Sequence, residues 1–424
     1  MLQPVKKLIQ KDPFLFSAII AFLIFIILSI NFSFTYSTDD FSYLARSHSV
    51  EGLTLESFSG YVSRLPIWAI FTWIGFSSHF YDYYHFAMSF WFFIFSLSFA
   101  YLVKEILSIL KIQVNHENDK YLIPIVLIPF LLYPTHHEVL YWATDFAYVI
   151  GLSFLTLGLK SINPMLKIIF FTLSFLTSEM YVFPLFSILF IDTFFNRKSY
   201  QNLIIFIIVS LIYFTIRKLL IPFYGDYSVG SKLTSNFRII LGNIYATIAM
   251  NFGMHFYKTI WSLTIPYWIT IAFPLFNFCK DIYQKSSRNL VVIALSIPGS
   301  FCFYWLMSYG AARALFGSQN FINALIVAAL FFYLKSSTKK SFTHYLIPLV
   351  ILAIFLTFSI RTFMIKDKNY QVIQVAKMEV REALNQCNNT CIDTIPYKNL
   401  PIYRDWVMHP DYWNHFVKWS KLSP

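Results

Sequence analysis

Long apolar runs separated by short polar stretches make up most of this chain. An apolar run of roughly 17 to 25 residues is long enough to cross the hydrocarbon core of a bilayer as a helix. On this basis the pattern predicts an all-α polytopic membrane protein with about eleven transmembrane helices. The predicted spans are 14–32, 84–110, 121–134, 143–159, 166–178, 180–195, 202–222, 257–278, 290–308, 319–335 and 343–363.

Three parts of the pattern need a separate interpretation. The runs 166–178 and 180–195 are short, so they predict either one re-entrant unit or two short tilted helices. Residues 239–256 indicate an additional half-buried helix. No small-residue cleavage site follows the first run, so we expect 14–32 to stay in the protein as an anchor.

Lysine and arginine residues lie in alternate connections between the apolar runs. Cytoplasmic loops carry an excess of these residues, so the pattern predicts a cytoplasmic N-terminus and an extracytoplasmic C-terminus. The predicted cytoplasmic groups are Lys6, Lys7 and Lys11; Lys104, Lys111 and Lys120; Lys160 and Lys167; Arg197 and Lys198; Lys280, Lys285 and Arg288; and Lys335, Lys339 and Lys340.

The predicted topology divides the chain into a transmembrane domain, 1–363, and a small extracytoplasmic C-terminal segment, 364–424. Residues 33–83 form the first outer loop, in which the amphipathic run 65–76 is predicted to lie along the membrane interface as a helix. Acidic and histidine residues beside the apolar runs therefore gather at the outer rim, which suggests a single site there.

Composition agrees with a membrane protein. Of the 424 residues, 57% are hydrophobic and 13% are charged, which is too apolar for a soluble fold of this length. The net charge of +12 reflects the basic connections, so we do not expect nucleic-acid binding. The sequence has neither a Walker loop nor a G-x-G-x-x-G motif, which argues against a nucleotide-driven cytoplasmic enzyme.

The acidic pair Asp39 and Asp40 follows the first apolar run by a few residues. Near a bilayer, adjacent carboxylates usually mark chemistry or a bound cation. Their repulsion raises the proton affinity of one of them, which favours general-base catalysis near neutral pH. The structural alternative is that Thr38 or Asp39 caps a helix that starts near Phe41.

The second predicted outer loop is dense in polar side chains. Its candidate substrate-binding residues are His136, His137, Glu138 and Asp145. They are predicted to hydrogen-bond a sugar or the phosphate head of a lipid carrier, with Tyr141 and Trp142 offering a stacking face. The spacing does not match a zinc motif, and a polar loop at the membrane interface is the alternative.

Glu179 and Arg313 complete the set of candidate substrate-binding residues. A carboxylate near the hydrocarbon costs on the order of 3 kcal/mol, so Glu179 needs a partner, for which Arg313, Lys232 and His137 are candidates. Arg313 is predicted to bind a phosphate group bidentately through its guanidinium. Pairing with Glu179 or with lipid headgroups is the alternative for Arg313.

The four cysteines divide into two kinds. Cys387 and Cys391 lie close together on the predicted outer side, where an oxidising compartment would allow a disulfide. Cys279 lies at a predicted cytoplasmic end and Cys302 inside a helix, so we interpret both as ordinary buried thiols.

A multi-spanning chain with an acidic pair soon after its first helix, in a long outer loop with interfacial helices, resembles the GT-C superfamily of integral membrane glycosyltransferases. The resemblance covers the arrangement of about the first 200 residues and is strongest to bacterial O-antigen glucosyltransferases. It implies a polyprenyl-phosphate-linked sugar donor, an inverting transfer, and Asp39 or Asp40 as the catalytic base.

We therefore expect a hexosyltransferase in the bacterial inner membrane, with its site facing the periplasm. It would take a polyprenyl-phosphate-linked sugar as donor, and a lipid-linked or cell-surface glycan, such as lipopolysaccharide of the cell envelope, as acceptor. A divalent cation is left open, and no other cofactor is expected. The alternatives are a lipid-linked oligosaccharide polymerase, which would use outer-loop arginines, and a flippase or transporter, which would show related halves.

Overall fold

The computed structural model is built from helices and turns, and the part of the chain it describes contains no strand. This confirms the predicted all-α class. The described residues are 2–34, 36, 38–49, 52–114, 117–133, 139–140, 142–196, 200–225, 235–251, 261–305, 315–336, 342–387, 395–396 and 413–422.

The helices follow one another in a simple order along the chain. The α-helices are α1 (Leu2–Lys11), α2 (Pro13–Ser29), α3 (Thr38–Ser47), α4 (Ser59–Val62), α5 (Pro66–Ser77), α6 (Tyr84–Ile109), α7 (Glu117–Leu131), α8 (Tyr148–Lys160), α9 (Pro164–Thr177), α10 (Val182–Asn196), α11 (Gln201–Tyr224), α12 (Phe237–Asn251), α13 (Trp261–Lys285), α14 (Ser287–Trp305), α15 (Phe316–Ser336), α16 (Phe342–Gln386) and α17 (Trp413–Leu422). Short 3-10 helices cover Leu55–Phe58, Phe80–Asp82 and Glu179–Tyr181.

Several helices have the length and composition of membrane spans. Within the described segments, five meet both criteria: Tyr84–Ile109, Glu179–Asn196, Gln201–Tyr224, Phe316–Ser336 and Tyr345–Gln386. Five shorter apolar helices accompany them: Pro13–Ser29, Pro66–Ser77, Tyr148–Lys160, Pro164–Thr177 and Ser287–Cys302. The molecule is therefore an all-helical protein with helices able to cross a membrane.

Burial separates central from peripheral spans. In the most apolar stretch of α15, 83% of the residues are buried, whereas the corresponding value for α11 is 17%. α11 exposes several large apolar side chains, including Ile204, Ile207, Leu211 and Phe214. This spacing places them along one face of the helix, as expected for a surface in contact with lipid.

One predicted span begins later than expected, and the region 166–195 is divided into two helices near its two predicted runs. Residues 143–147 form a turn, so α8 begins only at Tyr148, where the predicted span began at residue 143. The region 166–195 is two helices, because Ser178 has extended backbone and its hydroxyl accepts a hydrogen bond from Met180 N. A 3-10 turn then leads into α10.

The last long helix crosses the predicted domain boundary. α16 continues without a break from the predicted span 343–363 to Gln386, so its C-terminal half belongs to the segment predicted to be the outer tail. Along that half the residues Ile373, Ala376, Val380 and Leu384 are buried. Their spacing of three and four residues gives this half an apolar face, which explains why the helix extends beyond the apolar run.

The first predicted outer loop folds into helices, as expected, and is covered by the C-terminal helix. α17 packs on α3, where the Phe41 ring lies 5.2 Å from Phe416 and 4.9 Å from Trp419, measured between centroids. Arg381 of α16 donates from Nε to the carbonyl oxygen of Ser420 at 2.9 Å. The end of the chain therefore stabilises the helix that carries the acidic pair.

Candidate functional site

Asp40 is the third residue of α3 and has no solvent exposure. Its Oδ1 accepts a hydrogen bond from Thr144 N at 2.9 Å, and its Oδ2 accepts one from Ala143 N at 3.2 Å. Both oxygens of the carboxylate thus accept a backbone hydrogen bond near the N-terminus of α3. Asp40 therefore holds the second predicted outer loop against the first.

The backbone of Thr144 is bound at both its N–H and its carbonyl oxygen. Its N–H donates to Asp40, and its carbonyl oxygen accepts from Trp68 Nε1 of α5 at 2.9 Å. Asp145, the next residue, is also buried, and its backbone N–H donates to the carbonyl oxygen of Trp142 at 2.9 Å. Asp145, a candidate substrate-binding residue, therefore directly follows the two residues, Ala143 and Thr144, whose N–H groups bind Asp40.

Several buried tyrosines lie close enough to Asp40 to be affected by its charge. The hydroxyl of Tyr36 donates to the carbonyl oxygens of Tyr81 and Asp82, at 2.8 and 3.1 Å. Burial, followed by the charges of Asp82 and Asp40, raises the pKa of Tyr36 well above its usual range. Burial and the Asp40 charge also raise the pKa of Tyr81. Both phenols are therefore neutral at physiological pH.

Glu179 forms a buried ion pair with Arg64. The Nε of Arg64 lies 2.5 Å from Oε1 of Glu179, and the hydroxyl of Tyr213 donates to the same oxygen at 2.9 Å. Burial is the largest single influence on the pKa of Arg64 and lowers it, but the charge and hydrogen bond of Glu179, together with Tyr148 and Tyr213, outweigh burial, so the net shift is upward. The guanidinium stays charged, and the buried carboxylate has the partner that its position requires.

Arg64 is a partner of Glu179 that was not among the three candidates named from sequence. Arg64 comes from the first predicted outer loop, between α4 and α5, and Tyr213 comes from α11. Arg313, Lys232 and His137 all lie outside the described residues. One signal could have pointed to Arg64, because it is one of only two basic residues other than histidine in the loop 33–83.

The Asp40 carboxylate and the Arg64–Glu179 ion pair lie at the same end of the helices, in what we call the Asp40 layer. Arg64 lies in the turn before α5, four residues before Trp68. Trp68 binds the backbone carbonyl oxygen of Thr144, whose N–H donates to Asp40. The ring of Trp68 stacks on Tyr148 with centroids 6.1 Å apart. The first outer loop, the turn at 142–147 and the connection that carries Glu179 therefore meet at one end of the helices.

Several residues predicted for the site are outside the described part of the chain. These are His136, His137, Glu138 and Arg313. Asp39 lies in α3 next to Asp40, and only its backbone is described. Their predicted roles stay predictions.

The cysteines are described in part. Cys387, which follows α16, is disulfide-bonded, and Cys391 lies outside the described residues. The pairing of Cys387 with Cys391 thus stays a prediction. Cys279 and Cys302 are free thiols of intermediate exposure.

Two cavities of about 460 Å³ each lie at the opposite end of the helices from Asp40. Both are lined by Lys111 and Gln113, which follow the C-terminus of α6. The N-terminus of α6, at Tyr84, lies near Asp40, whose charge raises the pKa of the adjoining Tyr81. α6 has 26 residues and is therefore roughly 39 Å long. The cavities are separated from the Asp40 layer by about that length.

The arrangement around Asp40 combines a fixed carboxylate, neutral phenols and a paired guanidinium at the contact of three chain segments. Such a layer can position polar groups of a ligand at the end of an apolar helical bundle. No protein-family model, curated protein or solved structure matches this chain.

Proposed function

We propose that this protein is a membrane glycosyltransferase of the GT-C type, which transfers a sugar from a polyprenyl-phosphate donor to a lipid-linked or cell-surface glycan. One observation carries the proposal: the Asp40 carboxylate is completely buried where the first and second predicted outer loops meet. Ionisable groups are costly inside apolar helical proteins, and those present usually belong to functional sites.

The proposed topology has eleven crossings, with the N-terminus in the cytoplasm of a bacterial cell and the site facing the periplasm. Contacts among the predicted cytoplasmic connections support it. Lys335 Nζ lies 2.9 Å from Asp119 Oδ2, and Lys120 Nζ donates to the carbonyl oxygen of Gln10 at 2.6 Å. Lys120 and Lys335, two of the basic residues expected inside, therefore make contacts at the same end of the helices, which supports the proposed orientation.

In the proposed reaction, Asp39 accepts the proton of an acceptor hydroxyl while that oxygen attacks the anomeric carbon of the donor sugar. The bond from the anomeric carbon to the phosphate oxygen breaks, the configuration inverts, and polyprenyl phosphate leaves with the electron pair. We assign the base to Asp39 because amide N–H groups already bind both oxygens of Asp40. Asp40 is the positioning residue.

The remaining candidate residues take binding roles in this proposal. His136, His137, Glu138 and Asp145 contact sugar hydroxyls, and Arg313 binds the donor phosphate through its two parallel N–H donors. Glu179 acts through Arg64, which it holds in the same layer as Asp40. A prenyl chain suits this proposal because it can lie against apolar helix faces within the bilayer.

The test compares the glycans of cells that make the wild-type chain, no chain, or one of the variants Asp39→Asn, Asp40→Asn and Asp281→Asn, using mass spectrometry. Asp281 is the matched control, because it lies in α13 at the opposite end and pairs with Lys285. We expect a mass difference of one hexose between cells with and without the chain. Glycans from cells that make Asp39→Asn should lack this hexose, as in cells without the chain. Glycans from cells that make Asp281→Asn should carry it, as in the wild type.

Two results would contradict the proposal. Loss of a whole polymer, rather than of one sugar, would favour the polymerase. If the Asp39→Asn protein is present in the membrane at the wild-type level and transfers sugar normally, Asp39 is not the catalytic base.

A further inference from the structure

Two histidines and one aspartate converge in the first predicted outer loop, apart from the residues of the proposed sugar site. His48 Nε2 and His79 Nδ1 each lie 3.0 Å from Oδ2 of Asp82. All three ligand atoms lie within 4.8 Å of one another. We call these three side chains the His48 cluster.

The backbone brings these side chains together from two parts of the loop. His48 directly follows α3, and its N–H donates to the carbonyl oxygen of Leu44 at 3.2 Å, which continues the helical pattern. His79 and Asp82 lie in the connection between α5 and α6, where Tyr36 donates to the Asp82 carbonyl oxygen. The cluster therefore joins the end of α3 to this connection.

His79 adopts an uncommon backbone conformation. Its φ of 58° lies in the left-handed region, which residues other than glycine rarely adopt. Such strained residues persist where the surroundings hold them, and they concentrate at ligand-binding sites. Here the left-handed turn directs Nδ1 of His79 to the same carboxylate oxygen that His48 approaches.

We propose that His48, His79 and Asp82 bind one zinc ion or a chemically similar transition-metal ion. Imidazole nitrogen and carboxylate oxygen bind zinc at about 2.0–2.2 Å, and the close spacing of the three atoms allows all of them to reach one ion. Two nitrogen donors favour such a metal over magnesium or calcium, which prefer oxygen ligands.

Access and coordination both suit an exchangeable site. The side chains of His48 and Asp82 are 25% and 27% exposed, and that of His79 is 48% exposed, so an ion can enter from solvent. Three protein ligands leave a fourth position for water or for an oxygen atom of a ligand. His48 lies eight residues beyond Asp40, which is about 12 Å along a helix, so this site is separate from the acidic pair.

The test measures metal binding by purified full-length protein in detergent, with an affinity tag free of histidine. After treatment with a chelator, Zn²⁺ binding is followed by calorimetry and Co²⁺ binding by visible absorption. The variants are His48→Gln, His79→Gln and Asp82→Asn. His85→Gln is the matched control, because His85 lies in α6 and packs edge-on against Phe34.

We expect the wild type and His85→Gln to bind one Zn²⁺ per chain, and each variant of the cluster to bind it more than about tenfold more weakly. Bound Co²⁺ should show the absorption of a four-coordinate site. Failure of the wild type to bind either ion stoichiometrically would overturn the proposal, whether or not the variants fold. Equal binding by all three cluster variants and the control would also overturn it.

Discussion

The Nε atom of Arg64 lies 2.5 Å from Oε1 of Glu179, and both side chains are about nine-tenths buried. The two residues are 115 positions apart and belong to different predicted outer segments. Their contact joins the connection before α5 to the connection between α9 and α10. Because a buried charge without a partner is costly, this pair makes the relative position of the two segments specific.

Replacing one partner of this pair should destabilise the protein strongly. Glu179→Gln removes the negative charge and leaves the Arg64 guanidinium buried, so we expect a loss of about 3–5 kcal/mol in the free energy of unfolding. The double variant Arg64→Met, Glu179→Met should recover most of it, because neither charge then remains. Thermal unfolding in detergent measures both, and a double variant as unstable as Glu179→Gln would contradict the prediction.

Asp40→Asn should weaken the contact between α3 and the second predicted outer loop. One of the two amide donors, Ala143 N or Thr144 N, would then face a side-chain NH₂ group in place of a carboxylate oxygen. An unsatisfied buried donor costs about 1–3 kcal/mol. The exposed pair of Asp281 with Lys285 supplies the control, since Asp281→Asn should change stability by less than about 0.5 kcal/mol. Equal melting temperatures for both variants would argue against a structural role for Asp40.

Gly75 of α5 has no room for a side chain. A methyl group there would come within 2.2 Å of ring atoms of Tyr81, which is fully buried. We expect Gly75→Ala to destabilise the protein by about 1–3 kcal/mol through overpacking. Gly242→Ala in α12 is the control, because a Cβ there meets nothing within 4 Å and should be neutral or stabilising. Comparable melting temperatures for the two variants would show that Tyr81 can move away.

Binding of α17 to α3 should weaken in mild acid. Burial, followed by the charges of Arg46 and Lys418, lowers the pKa of His415 below its usual value of 6.5. The unfolded segment therefore binds a proton more readily than the packed one, so stability rises with pH. The contribution is fully present above pH 6.5 and is lost as the pH falls towards the lower pKa of the folded state.

Hydrogen exchange of residues 413–422 between pH 7 and pH 5, corrected for the intrinsic rate, measures this effect. Protection should decrease with acid in the wild type and change less in His415→Gln. Identical pH dependence in both proteins would assign the effect to another group.

The extent of the apolar helices was accessible from sequence because it depends on local composition. The predicted span 84–110 and the observed Tyr84–Ile109 agree within a residue, and 202–222 lies inside Gln201–Tyr224. The continuation of α16 to Gln386 was missed, although its signal is also local. It consists of apolar positions spaced by three and four residues among polar ones, which a search for continuous apolar runs does not detect.

The sequence by itself determined that this chain is helical and apolar enough for a membrane, and that its acidic pair follows the first apolar run. Only the tertiary structure decided that Arg64 is the partner of Glu179 and that amide N–H groups of Ala143 and Thr144 bind Asp40. Helix formation depends on neighbouring residues, whereas these contacts join positions about a hundred residues apart. Their specificity arises from the cost of burying an unpaired charge, which acts only once the helices have packed.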